Sequence, residues 1–490
     1  MEIKYNHIFD ATAIAEAIKA GKITPLEAVQ ATIDAIKNNN EKLNAVVHLY
    51  EEEALEKAKN LKDFSAPFAG VPILLKDAGQ DYEGKPSTAA SPLLKNNIAN
   101  ITDNYVQKIL DAGFIIVGHT NVPEFALLYI TDGGIYGPTA NPVNVNYNAG
   151  GSSGGAAAAV QSGMVPIAAA SDGGGSIRIP ASFSGLVGLK PTRGRTASGP
   201  GSWRSWGGAS INFAITSTIR DTWNMLKILQ TDKIEAIPFL LQNLNDEDLE
   251  REYTELKYIK FAYTTKSFVG SEVSDEAIKA VLDTVKFLRK QGFTVEEVNP
   301  EVDGMSYLAG YFTMNAAEQR KSFIAIEEAL GRPIKRGEVG DDAFALGKLG
   351  EKVLAWEYSS IFDSWDKLTD VFSNLYKEYP VLIQPSTARP APGIDEYTLK
   401  IDKLSDYEEF DSMTKDELLS LILETYYPGT EYSPFAFIHN LTGQPALSLP
   451  LHTTENGLPL GVMFTTNKGR EDRLLAIGKY FEENNRFKYY

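Results

Sequence analysis

"GGSSGGAAAAVQSGMVPIAAASDGGGSIRIPASFSGLVGLKPT", residues 150–192, changes texture several times within one short span. A glycine loop carrying two adjacent serines runs into alanines, a helical piece. An apolar run ending in Ser171-Asp172 follows, and three glycines then lead to Ser176. Short apolar runs bounded by glycine or polar residues suit strands buried on both faces, and the periodic pieces between them suit helices. The same grammar extends outward, through "GVPILLKD" (70–77) and "GFIIVGHTN" (113–121), so the region from Phe68 to Pro200 reads as α/β. Further on, "YIKFAYTT" (258–265) and "SDEAIKAVLDTVKFLRKQGFTVEEV" (274–298) repeat strand, helix, strand.

The flanks read differently. Near the start, Thr24 caps a helix with Pro25 at its first position, and Leu26, Val29, Ile33 and Ile36 form its apolar face. Residues 309–424 read as helical and are rich in charge and aromatics. Strand texture returns in "GQPALSLPL" (443–451) and "LPLGVMFTT" (458–466). Repeats, low-complexity tracts and long linkers are missing, which favours one domain over residues 1–490.

Composition narrows the function. The chain has 490 residues, 43% of them hydrophobic, and 64 acidic against 47 basic residues give a net charge of −17. An acidic surface repels phosphate backbones and anionic headgroups, so neither nucleic acid nor membrane is expected as a partner. With no cysteine, disulfides, thiolate metal sites and a cysteine nucleophile are excluded together. No run of eighteen apolar residues occurs, and the expected location is the cytoplasm. The five histidines show no metal-ligand spacing, so no metal is expected.

The first serine loop lacks the Lys-Ser/Thr of a phosphate-binding loop and the spacing of a dinucleotide fingerprint. On its own it reads as a turn whose serines cap the alanine helix. A second such loop, "DGGGSIRIP" (172–180), changes that reading, because two serine loops flanking one buried run can converge on one site. Glycines before Ser176 let backbone amides turn toward a common point, as an oxyanion hole requires. No histidine stands in a recognisable Ser-His-Asp context. A neutral lysine can serve as base where burial lowers its pKa, and Lys76 ends an apolar run. Taken alone, a lysine at a strand end more often snorkels to water.

These stretches, with "GHTNVPEFA" (118–126), "GPTANPVN" (137–144), "KPTRGR" (190–195) and "NLTGQPALSLPL" (440–451), resemble the amidase signature family over nearly the whole chain, most densely over 68–200. The resemblance implies a single large α/β domain with a mixed twisted sheet flanked by helices. It implies amide hydrolysis without cofactor, with Ser176 as nucleophile, Ser152 as bridging serine and Lys76 as general base. It further implies an oxyanion hole from the amides of Gly173, Gly174, Gly175 and Ser176. Ser153, Asp172 and Arg178 match supporting positions, and Phe125 and Ala126 match a segment beside the bound carbonyl. Lys190, Arg193 and Arg195 read as a structural cluster. Ala149 stands where the family usually has proline, and Gly173 where threonine or isoleucine is common. "DGGGSIRIP" also occurs in a bacterial branch that includes the hydrolase of the cyclic aminohexanoate dimer.

The resemblance leaves the substrate to the variable region, 309–424, which is expected to cover the pocket. A small apolar, aliphatic or aryl amide is the expected partner, besides, at most, further copies of the chain. The alternative is a glutamine-hydrolysing amidotransferase A-type subunit in a larger complex. Ser433 stands where that subunit carries an aspartate, which argues against it.

Overall fold

Thr24 opens the Pro25–Leu43 helix in the expected way. Its hydroxyl accepts from the Glu27 amide at 3.1 Å, and the Glu27 carboxylate accepts from the Thr24 amide at 2.7 Å, which closes a capping box. Val29, Ile33 and Ile36 are buried, but Leu26 is 39% exposed. It lies in the first turn and lines an open surface depression of about 1270 Å³ with the N-terminal segment, rather than the core. The structure, a computed structural model, describes residues 3–232, 236, 238–396 and 407–490.

In chain order the strands are β1 (Val46–Leu49), β2 (Pro72–Lys76), β3 (Ile115–Thr120), β4 (Ala140–Asn141), β5 (Asn144–Asn148), β6 (Ala168–Asp172), β7 (Val187–Lys190), β8 (Ile211–Thr216), β9 (Phe261–Tyr263), β10 (Val295–Glu297), β11 (Val381–Pro385), β12 (Ala446–Thr453) and β13 (Pro459–Thr465). Eleven of them form one mixed sheet in the order β1-β3-β2-β6-β8-β7-β12-β13-β11-β9-β10, while β4 and β5 pair separately. β2 runs parallel to both β3 and β6, and β9 runs parallel to β10 and β11. The strand-helix-strand text of 258–298 thus becomes β9, the Asp275–Lys290 helix and β10.

Alternation along the strands assigns the two faces. Leu447 and Leu449, Val462 and Phe464, and Val381 and Ile383 point into one core with helices Ala11–Lys19, Pro25–Leu43, Asp275–Lys290 and Glu471–Glu483. Their neighbours Ala446, Met463 and Leu382 point into a second core with helices Gly304–Leu330, Asp341–Gly350, Ala355–Glu378 and Lys415–Tyr432. A sheet covered on both faces requires strands apolar on both sides, which is the texture read from the sequence. The helical reading of 309–424 needs one correction. β11 interrupts it as a fully buried strand between β13 and β9. Pro380 ends the preceding helix, and "VLIQP" is too short to bury itself as another. Residues 397–406 of that region lie outside the described ones.

Candidate active site

β2 and β6 are adjacent and parallel, with Leu74 opposite Ala168, so both end at the same edge of the sheet. Lys76 is the last residue of β2, and Ser171 and Asp172 close β6. In open α/β sheets ligands bind beyond the carboxyl ends of strands. Lys76 does not snorkel: it is 1% exposed. Its Nζ lies 2.7 Å from Ser152 Oγ and 2.8 Å from Ser171 Oγ, and its amide donates to Gln80 Oε1 at 2.7 Å. Burial pulls the amine down from 10.5 to about 7, against the opposing pull of the Asp172 carboxylate. At neutral pH a substantial fraction is therefore the free base.

The serine loop is buried. Ser152 and Ser153 are 1% and 0% exposed, and the Gly151–Ser152 peptide is cis. The glycines serve close packing: a Cβ on Gly151 would stand 2.2 Å from Ile130 O, and one on Gly155 2.4 Å from Asn121 N. Ser153 occupies the position before the Gly154–Gln161 helix, but its side chain makes no capping bond. Its hydroxyl donates instead to Ser171 O at 3.2 Å, tying the loop to the end of β6. The capping reading of these serines is thereby corrected.

The second loop is held by one carboxylate. Asp172 accepts from the Gly175 amide at 2.8 Å and the Ile177 amide at 3.2 Å. Arg178 reaches it twice at 2.9 Å, through Nε and Nη2. Asn440 donates to Asp172 Oδ1 at 2.9 Å and accepts from Arg178 Nη2 at 2.7 Å. Burial alone would raise the Asp172 carboxyl, but the Arg178 guanidinium and these hydrogen bonds hold it well below the usual carboxylate range. Ser176, 7% exposed, sits between these anchors. The Gly175 amide is engaged by Asp172, which leaves Gly173, Gly174 and Ser176 as the remaining donors of the loop.

The Gly304–Leu330 helix closes the loop from above. Tyr311 Oη donates to Gly173 O at 3.3 Å, and a Cβ on Gly174 would meet that hydroxyl at 2.4 Å. A Cβ on Gly173 would stand 2.9 Å from the Trp206 ring. Beyond Ser171 opens a cleft of about 460 Å³, walled by Phe125, Ala126, Trp203, Trp206 and Phe239. Phe125 and Ala126 lie in the short turn Glu124–Ala126 with positive φ of 50° and 60°. Lys190, Arg193 and Arg195 are structural. Lys190 Nζ donates to Pro191 O, Arg195 pairs with buried Glu471, and Arg193 donates to the carbonyls of Gly208, Asn440 and Leu441. Sequence reading missed Ser171, Gln80 and Asn440. Asn440 stood in a quoted motif, whereas Ser171 is recognisable only from its register beside β2. Among the described residues, no group of His, Asp and Glu is arranged to hold a metal ion.

Fold and site together define an enzyme class, the hydrolases of carboxamides built on one mixed α/β sheet. The chain belongs to the amidase family, whose model, described as Amidase, matches residues 27–475. It is 37% identical over 476 residues to a lipoamidase of Enterococcus faecalis, with 97% of this chain aligned and 63% of that protein, so it spans less than two thirds of that relative's length. It is 30% identical to a 6-aminohexanoate-cyclic-dimer hydrolase of Paenarthrobacter ureafaciens, covering 96% of this chain and 94% of the relative. A solved structure of 6-aminohexanoate cyclic dimer hydrolase complexed with substrate superposes with a TM-score of 0.85 at 28% identity, covering 97% and 96% of the two chains.

Proposed function

We propose that this chain hydrolyses a carboxylic amide through an acyl-enzyme on Ser176, with Ser152 as proton relay and Lys76 as general base. One observation carries the reading, a fully buried lysine with its amine near pKa 7 and 2.7 Å from the Ser152 hydroxyl. In the first half, the Ser176 proton passes to Ser152 as the Ser152 proton passes to Lys76 Nζ, and Ser176 Oγ bonds to the amide carbon. The amides of Gly174 and Ser176, with Gly173, receive the oxyanion, and the Gly175 amide keeps the loop in place through Asp172. Collapse breaks the C–N bond, and the proton held by Lys76 returns through Ser152 to the leaving nitrogen. Water then attacks the acyl carbon, gives its proton to the same relay, and releases the carboxylic acid and Ser176.

The aromatic walls of the cleft favour a small apolar, aliphatic or aryl amide. Relatives named for lipoamide and cyclic-dimer hydrolysis support amides with extended aliphatic chains. Against the glutamine-dependent alternative stands the buried Ser433, which offers no carboxylate. The test is turnover of acyl p-nitroanilides by the purified chain. Ser176→Ala should lower kcat by at least about a thousandfold while the thermal melt is retained. Activity within tenfold of the parent would remove Ser176 from this role.

A further inference from the structure

The Gly304–Leu330 helix presents Tyr311, Asn315, Gln319 and Phe323 at four-residue spacing, which places them on one face. Both ends of that row touch the site. Tyr311 packs edge-on to Trp206 at 6.1 Å between ring centroids, and Phe323 packs against Phe125 at 5.9 Å. Gln319 lies between them, lines the cleft and is 6% exposed. Among the described residues its Nε2 is buried with no acceptor, and one turn back Asn315 Oδ1 is buried with no donor. Buried polar groups are almost always paired, and an orphan amide costs free energy until something accepts its proton. Everything else in this row is aromatic.

We propose that Gln319 is a specificity-determining residue of the cleft, and that its carboxamide N–H binds a second, neutral carbonyl in the substrate, away from the bond that is cut. The proposal rests on the amidase reading and narrows its substrate class to amides carrying a further amide group. A neutral acceptor is favoured over a carboxylate by the charges around it. Asp81 and Asp103 line the same cleft, and Arg193 is its one cation among the described lining residues. Nε and Nη2 of that guanidinium donate to backbone carbonyls, and its face lies over Phe239 and Trp365. A site built to hydrogen-bond a substrate group discriminates strongly against an analogue that lacks it.

The test compares matched probes. On the acyl side these are 6-acetamidohexanoyl p-nitroanilide, nonanoyl p-nitroanilide of equal length, and the same chain ending in a carboxylate; a second set carries these chains on the amine side. Binding is measured by calorimetry in the Ser176→Ala background, and hydrolysis with Ser176 intact. The acetamido probe of one set should bind about tenfold tighter than its all-methylene partner. Gln319→Leu and the isosteric Gln319→Glu should each erase that ratio while the all-methylene probe binds as before. Equal binding of the pair in both sets, a ratio that survives both substitutions, or preference for the carboxylate tail would overturn the proposal. Selective binding without any hydrolysis would leave the subsite standing and sink the amidase reading instead.

Discussion

Lys76 is the residue on which the proposed chemistry turns. Its folded pKa lies below its ordinary value because burial penalises the ammonium. In the proposed mechanism the active form is the free amine, so activity should be lost as pH falls through about 7 and restored above it. Profiles of kcat/KM from about pH 5 to 10 should show an acid limb with its midpoint near 7. Lys76→Arg should be as inactive as Lys76→Ala, since a guanidinium keeps its proton throughout that range. An arginine variant of near-normal activity would end the role of Lys76 as base. The sequence placed this lysine at the end of an apolar run. It could not choose between a buried amine and one reaching water, because that depends on Ser152 and Ser171, brought to Nζ by the neighbouring loop and strand.

At the scale of elements, the Ser176 loop is positioned by a clamp rather than by its own glycines. Asp172 gathers the Gly175 and Ile177 amides, Arg178 and Asn440 around one carboxylate. Asp172 and Arg178 flank the loop in sequence, and there they matched supporting positions of the family pattern. Asn440 is 268 residues from Asp172 and could not be read as its partner. Asp172→Asn would leave the Arg178 guanidinium, 0% exposed, without its counter-charge. Breaking a buried pair by removing one partner costs about 3–5 kcal/mol. The variant should therefore unfold at clearly lower denaturant and lose activity at temperatures where it is still folded. A melt and a rate both close to the parent's would show that the clamp does not hold the loop. β11 teaches a related lesson. Five buried residues in a helical neighbourhood carry too little periodicity to declare a strand, and only pairing with β13 and β9 defines them.

Across the whole molecule, the arrangement separates chemistry from support. One sheet, covered by helices on both faces, delivers β2 and β6 to a common edge, and the Gly304–Leu330 helix borders the cleft that opens there. Among the described residues no cluster suited to a metal exists anywhere in this frame. Treatment with a chelator, followed by dialysis, should leave amide turnover unchanged within about twofold. Loss of activity that a single divalent ion restores would contradict the Lys-Ser-Ser route.

The sequence by itself determined the α/β class, the strands buried on both faces, the two serine loops and the lysine, because apolar periodicity and glycine punctuation are local properties. Tertiary structure alone decided that the first loop is buried, that Ser153 ties two segments instead of capping a helix, and that the Gly175 amide serves Asp172. It also decided that Tyr311 and Gln319, both within text read only as helical, meet the Gly173 carbonyl and the cleft. The reason is physical. Burial, pKa and hydrogen-bond partnership are set by what packs against a residue, and at this site those neighbours come from strands and helices up to hundreds of residues apart.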